Sequence, residues 1–180
     1  MVHHAPNSHS PTELSEADAP DVASLYDRCA DYFLLQDGVT ATLADAQKLF
    51  TEVPPNRDAN NLTVLGWKGS DGLYASAAIF RDYPREGTWY LGLMIVDVAQ
   101  RGRGLCRALF AVIEDWVATK GAKEIRLAVL EANEAGERFW RSLGFREIRR
   151  VGPHTFKNRS HRRIELSRPI NGGSVKGGNQ

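Results

Sequence analysis

The chain has 180 residues, 42% hydrophobic and 25% charged, a size and balance that suit one soluble domain with its own core. No run of about 18 apolar residues is present to span a membrane, and Met1 to Ser10 lack the apolar region of a secretory signal. Cys29 and Cys106 are too few for a disulfide framework and have no metal-ligand spacing, so a reducing cytoplasm is the expected compartment.

The polar residues 1–12 and the Gly-rich residues 171–180 read as disordered tails around one domain over 13–170. His3, His4 and His9 are framed by no carboxylate or cysteine, and no metal site is expected. A short additional strand is expected near Thr12 to Ser15. Asp18 to Leu35 reads as one helix, with Val22, Leu25, Tyr26, Cys29 and Phe33 apolar at helical spacing and Gly38 as the stop. A second helix is expected over Thr42 to Glu52, capped by Thr42 and ended by Pro54-Pro55.

The period then changes. Leu62 to Trp67, Leu73 to Phe80 and Thr88 to Val96 are β-rich runs separated by turn residues, which predicts an antiparallel meander. Leu105, Leu109, Val112, Ile113 and Trp116 return to helical spacing, and Gly121 closes that helix. Ile125 to Leu130 is a short apolar run of the kind buried in a parallel pair. A helix over Glu134 to Leu143, capped by Asn133 and stopped at Gly144, precedes strands over Phe145 to Val151 and Arg162 to Ser167. The predicted fold is α/β: a mixed, mostly antiparallel sheet with one parallel βαβ crossover and helices on both faces.

The run from Val96 to Arg107 (VDVAQRGRGLCR) joins the strongest strand to the strongest amphipathic helix. Gly102 and Gly104 let the backbone come close to a ligand. The first N–H groups of the helix have no internal partner and carry partial positive charge, which suits a pyrophosphate. Arg101, Arg103 and Arg107 can add charge-assisted hydrogen bonds. A dinucleotide fingerprint fails because Arg107 takes its last glycine position, and a Walker loop fails because no Gly-Lys-Ser/Thr follows.

Arg101-Gly102-Arg103-Gly104-Leu105 resembles the R/Q-x-x-G-x-G/A acetyl-CoA signature of the GCN5-related N-acetyltransferases, with Cys106 at the last small position. Asn133 to Phe145 (NEAGERFWRSLGF) is similar to that family's N-x-x-A-x-x-F-Y-x-x-x-G-F. The resemblance implies a cleft between two splayed strands, with acetyl-CoA as co-substrate. The main chain of Met94, Ile95 and Val96 would pair with the pantetheine arm, and a backbone N–H there would polarise the thioester carbonyl. Asn133 would contact the same arm, with Phe139 and Trp140 as walls, although Asn133 is also a helix cap and Phe139 also suits the core.

Trp140 departs from the pattern, because the family often has a tyrosine there that protonates the departing thiolate. An indole N–H does not titrate usefully. Tyr90 and Cys106 are substitutes, and a non-catalytic acyl-CoA-binding module is the alternative reading. A lysine-like amine with a pKa near 10.4 must also lose a proton before it attacks. Glu86, Asp97 and Glu131 flank the predicted cleft strands as candidate bases, and Asp31 and Tyr32 are placed to close over it.

The net charge of +1 hides an asymmetry. Residues 1–61 carry three basic side chains against ten acids, whereas 133–170 carry ten against four. Acids with Tyr26, Tyr32 and Phe33 on the N-terminal helices, and Tyr83 and Trp89 on the meander, suggest a cationic small-molecule or peptide amine as acceptor. The C-terminal arginines lack the aromatic interleaving of an RNA-binding sheet, so no nucleic-acid partner is expected. A homodimer is one assembly open to such a chain.

Overall fold

A computed structural model describes residues 9–170. The tail expectations for 1–8 and 171–180, with His3 and His4, lie outside the described residues. Within them the His9 carbonyl accepts a hydrogen bond from Trp67 Nε1 at 2.7 Å, and Thr12–Glu13 form a first strand, β1. Helices α1 (Ala19–Arg28), α2 (Ala30–Asp37) and α3 (Leu43–Lys48) follow. The meander is β2 (Leu62–Gly69), β3 (Gly72–Phe80) and β4 (Thr88–Val96). Then come α4 (Leu105–Thr119), β5 (Glu124–Leu130), α5 (Glu134–Ser142), β6 (Arg146–Phe156) and β7 (Arg159–Pro169).

The strands form one sheet in the order β1-β2-β3-β4-β5-β7-β6, and only β4–β5 is parallel. One face packs against α4: Leu109, Phe110, Ile113 and Val117 meet Leu91, Ile125, Leu127 and Ile164 in a single buried cluster. The other face packs Val64, Ala78 and Ile95 against Val22, Leu25 and Ala46 of α1 and α3. Truncating a fully buried member such as Ile113 or Leu127 to alanine is expected to cost about 2–5 kcal/mol. Past β4 the second face opens into a cavity lined by Arg126, Arg163 and Glu165, and α2 reaches β7 through His161 Nε2, 3.0 Å from the Leu35 carbonyl.

Three sequence expectations need correction. The stretch Asp18 to Leu35 is two helices, broken at Cys29, whose N–H bonds both Leu25 and Tyr26 and whose thiol reaches the Val96 carbonyl at 3.4 Å. The helix after Thr42 ends at Lys48, short of Glu52, although Thr42 and Asp45 do form the capping box. The last two strands form a hairpin longer than expected, because β6 is an exposed edge with no buried residue to give it an apolar period.

Glu124 locks the closed end of the parallel pair. It accepts from Thr88 Oγ1 of β4 at 3.0 Å and from Arg126 Nε at 2.9 Å, and also from the Ser167 hydroxyl of β7. Burial opposes its charge, but these donors overcome burial and hold its pKa at about 2. No helix among the described residues is long and apolar enough to cross a membrane, and no cluster of His, Cys, Asp or Glu among them could hold a metal.

Candidate active site

The parallel register runs from Thr88↔Glu124 to Leu91↔Leu127 and stops there. Beyond it β4 continues on β3, with Met94 opposite Ala77 and Val96 opposite Ala75, while β5 continues on β7. Gly92 is the extra residue of a bulge between the Leu91 and Leu93 pairs, the point at which β4 turns away. The splay opens a cleft of about 450 Å³. Asp97 N–H donates to Tyr74 of β3 at 2.9 Å, so strand alternation turns the N–H and C=O of Met94 and Val96 into the cleft and those of Ile95 toward β3.

The loop between β4 and α4 lies at one end of this cleft. Asp97 is nine-tenths buried and caps the following 3-10 turn (Val98–Gln100) by accepting from Ala99 N at 2.9 Å. It also pairs with Arg28 at 2.6 Å, and these contacts outweigh burial and lower its pKa. Gly102 and Gly104 have φ of +79° and +77° with open space around a Cβ position, so glycine is needed for conformation and not for room. Gly104 is the N-cap of α4, and the helix offers its first N–H groups from there.

The three arginines of the loop differ in orientation. Arg101 turns inward: Nε donates to the Val96 carbonyl at 2.9 Å, and Nη1 and Nη2 reach Asp31 of α2 at 2.6 and 3.4 Å. It braces the loop to α2. Arg107 donates to Ser142 Oγ of α5 at 3.0 Å, and Arg103 is exposed. Leu105 packs against the α4 core cluster, whereas Cys106 lines the cleft, its thiol pushed up by burial.

Asn133, Phe139 and Trp140 line the opposite wall. Asn133 Oδ1 accepts from Gly136 N at 3.0 Å, so it caps α5 and faces the cleft at once. Trp140 sits edge-on to Phe110, Phe139 and Phe145, with centroids 4.9 to 5.5 Å away, a rigid aromatic wall.

A second cavity of about 740 Å³ opens between α2, α3 and the β6–β7 hairpin. Tyr32, Gln36, Tyr90, Gly92, Leu93, Phe156 and Arg163 line both cavities and mark their junction. Of the acid–base candidates Glu86, Tyr90, Asp97, Cys106 and Glu131, only Tyr90 is there, Cys106 lining the first cavity alone. Burial raises the pKa of Tyr90, and that of Tyr32 is pushed up to about 12, so both phenols stay protonated at neutral pH. Glu86 borders a separate cavity of about 370 Å³ near Thr88 and Glu124. Glu131 is held by Arg150 at 2.6 Å, and neither it nor Asp97 lines either cavity.

Three acids of the larger cavity are ion-paired. Asp45 meets Lys157 at 2.6 Å, Asp37 meets the same ammonium at 3.8 Å, and Glu165 meets Arg149 at 2.6 Å. The ring of Tyr83 is faced by Arg57 at 5.4 Å, and Trp89 is core, edge-on to Trp116 of α4. The sequence alone does not mark Arg163, Gln36 or Phe156 as site residues. The alternation of Ile164 and Leu166 with Arg163 and Glu165 was the one signal that sets Arg163 on the face opposite the α4 core.

The described geometry agrees with comparisons to known proteins. The chain has 20% identity to an acetyltransferase from Thermus thermophilus, at a TM-score of 0.72 over 89% of this chain and 96% of that one. It has 19% identity to the ribosomal-protein-S18-alanine N-acetyltransferase from Escherichia coli, at 0.67 over 90% and 94%. A GCN5-related N-acetyltransferase from Kribbella flavida gives 23% identity and 0.65 over 92% and 100%. No curated protein sequence matches it. The profile of the acetyltransferase (GNAT) family matches residues 21–145, so the chain belongs to the GNAT acetyltransferase family.

Proposed function

We propose that the chain transfers an acetyl group from acetyl-CoA to the primary amine of a small molecule or peptide. The observation that carries this reading is the end of parallel pairing at Leu91↔Leu127, which leaves the inner edge of β4 from Gly92 to Val96 unpaired. An extended amide-bearing arm fits such an edge as an added strand does. The N–H of Met94 and Val96 would bind it, the Val96 carbonyl being engaged by Arg101 and Cys29. The Gly102–Gly104 loop and the first N–H groups of α4 would hold the diphosphate, with the exposed Arg103 adding a cation. The Trp140 wall would bound the thioester end.

Acetyl transfer from sulfur to nitrogen requires one proton off the amine and one onto the thiolate. Tyr90, protonated at the junction, is the candidate donor. Asp31, the carboxylate that lines the first cavity, is held by Arg101, and no carboxylate lines both cavities, so the amine proton would leave through water in the larger cavity. The free thiols of Cys29 and Cys106 support a reducing cytoplasm. A thiol-release assay with acetyl-CoA against a panel of amines tests the reading. Release with at least one amine is expected, and tight acetyl-CoA binding with none would leave a non-catalytic acyl-CoA-binding module.

A further inference from the structure

Arg163 stands at the junction of the two cavities with nothing to hold. Its Nε is buried without a hydrogen-bond partner, and no carboxylate lies within ion-pair distance of its guanidinium among the described residues. Three of the four acids that line the larger cavity are committed elsewhere. Glu165, two residues along β7 on the same face, is held in two contacts by Arg149 at 2.6 and 3.3 Å. Asp37 and Asp45 share Lys157, and Arg126 is matched by Glu124 at 2.9 Å. Glu52 and Lys48 are exposed at the rim. A buried guanidinium N–H left unmade is costly, and a planar fork pairs best with an oxyanion. A bare ammonium would be repelled at the same point.

We propose that the acceptor carries an oxyanion, a carboxylate or phosphoryl group, beside its reactive amine, and that Arg163 seats it at the cavity junction. Resting on the acetyltransfer reading above, this makes the acceptor class small amino carboxylates or their phosphoryl analogues. The zwitterion brings its own counter-charge for Arg163, and the amine is thereby oriented toward the open edge of β4.

The test sets glycine, β-alanine and γ-aminobutyrate against methylamine, ethylamine and propylamine, with aminomethylphosphonate as the phosphoryl arm, on wild type, Arg163→Gln and Arg163→Lys. The proposal expects kcat/KM for the amino carboxylate to exceed that of its matched amine by about 10- to 100-fold, the worth of a charge-assisted pair. That preference should collapse in R163Q and survive in part in R163K. Preference for the phosphonate alone would assign the anion as phosphoryl. Equal kcat/KM for amine and amino acid, or an R163Q loss equal for both, overturns the proposal while leaving acetyltransfer intact. If no acceptor turns over, the Arg163 Nε–H resonance, assigned by its loss in R163K, still reads the inference. A downfield shift with amino carboxylates only supports it; no shift, or a shift with acetyl-CoA alone, overturns it.

Discussion

Leu91 and Leu127 are the last residues of β4 and β5 held in parallel register, and every expected cofactor contact from the strands lies beyond them. Ala128, the next residue of β5, lines the cleft and is only half buried. Replacing it with phenylalanine should fill the cleft without disturbing the core behind it. The dissociation constant for coenzyme A is expected to rise at least about tenfold, some 1.4 kcal/mol, with little change in thermal midpoint. Calorimetric titration beside a thermal melt checks both halves.

Gly104 carries the conformational demand of the loop. Its φ of +77° penalises any residue with a Cβ, whereas the space around it is open, so Gly104→Val acts through backbone strain alone. A loss of about 1–2 kcal/mol in unfolding free energy is expected, seen by chemical denaturation. The loop should relax away from its left-handed turn, and coenzyme A affinity should fall by more than the stability does.

The lock at Glu124 has a pH signature. Its carboxyl titrates at about 2 when folded against 4.5 ordinarily, so its contribution is complete above about pH 4.5 and is lost as pH falls toward 2. Glu124→Gln should cost about 1–3 kcal/mol at neutral pH. The difference between wild type and variant should shrink steadily between those two pH values. Denaturant melts at several pH values would show it, and a difference independent of pH would contradict the assignment.

Tyr90 is expected to matter for turnover more than for binding. Tyr90→Phe should lower kcat by about 100-fold or more with the dissociation constant for coenzyme A little changed. Because burial raises its pKa, any alkaline loss of the activity it supports should fall above the range of an ordinary tyrosine. Steady-state kinetics from pH 6 to 10 would reveal an earlier alkaline limb if another acid carried the step.

The meander, the parallel crossover, α4 and the glycine loop were all legible because each is written in local residues: apolar periodicity, turn residues and a glycine pair. What the sequence hid depends on distant partners. Cys29 breaks the first helix where its thiol reaches the Val96 carbonyl, 67 positions away. Arg101 looks like a phosphate ligand until Asp31 of α2 turns it inward. The acids of the N-terminal helices read as an acceptor lip, but Lys157 of the β6–β7 turn answers two of them. Arg163 reads as one more member of a basic patch, and only the register of β7 on β5 sets it at the junction.

Coenzyme A binding is the most direct measurement of the proposed site. Titrated into the full chain in a calorimeter, it should bind with micromolar affinity and a stoichiometry of one, and Ala128→Phe and Gly104→Val should each weaken it. Absence of heat and of any thermal shift at millimolar coenzyme A would contradict the assignment of the β4–β5 opening and the Gly102–Gly104 loop as its site.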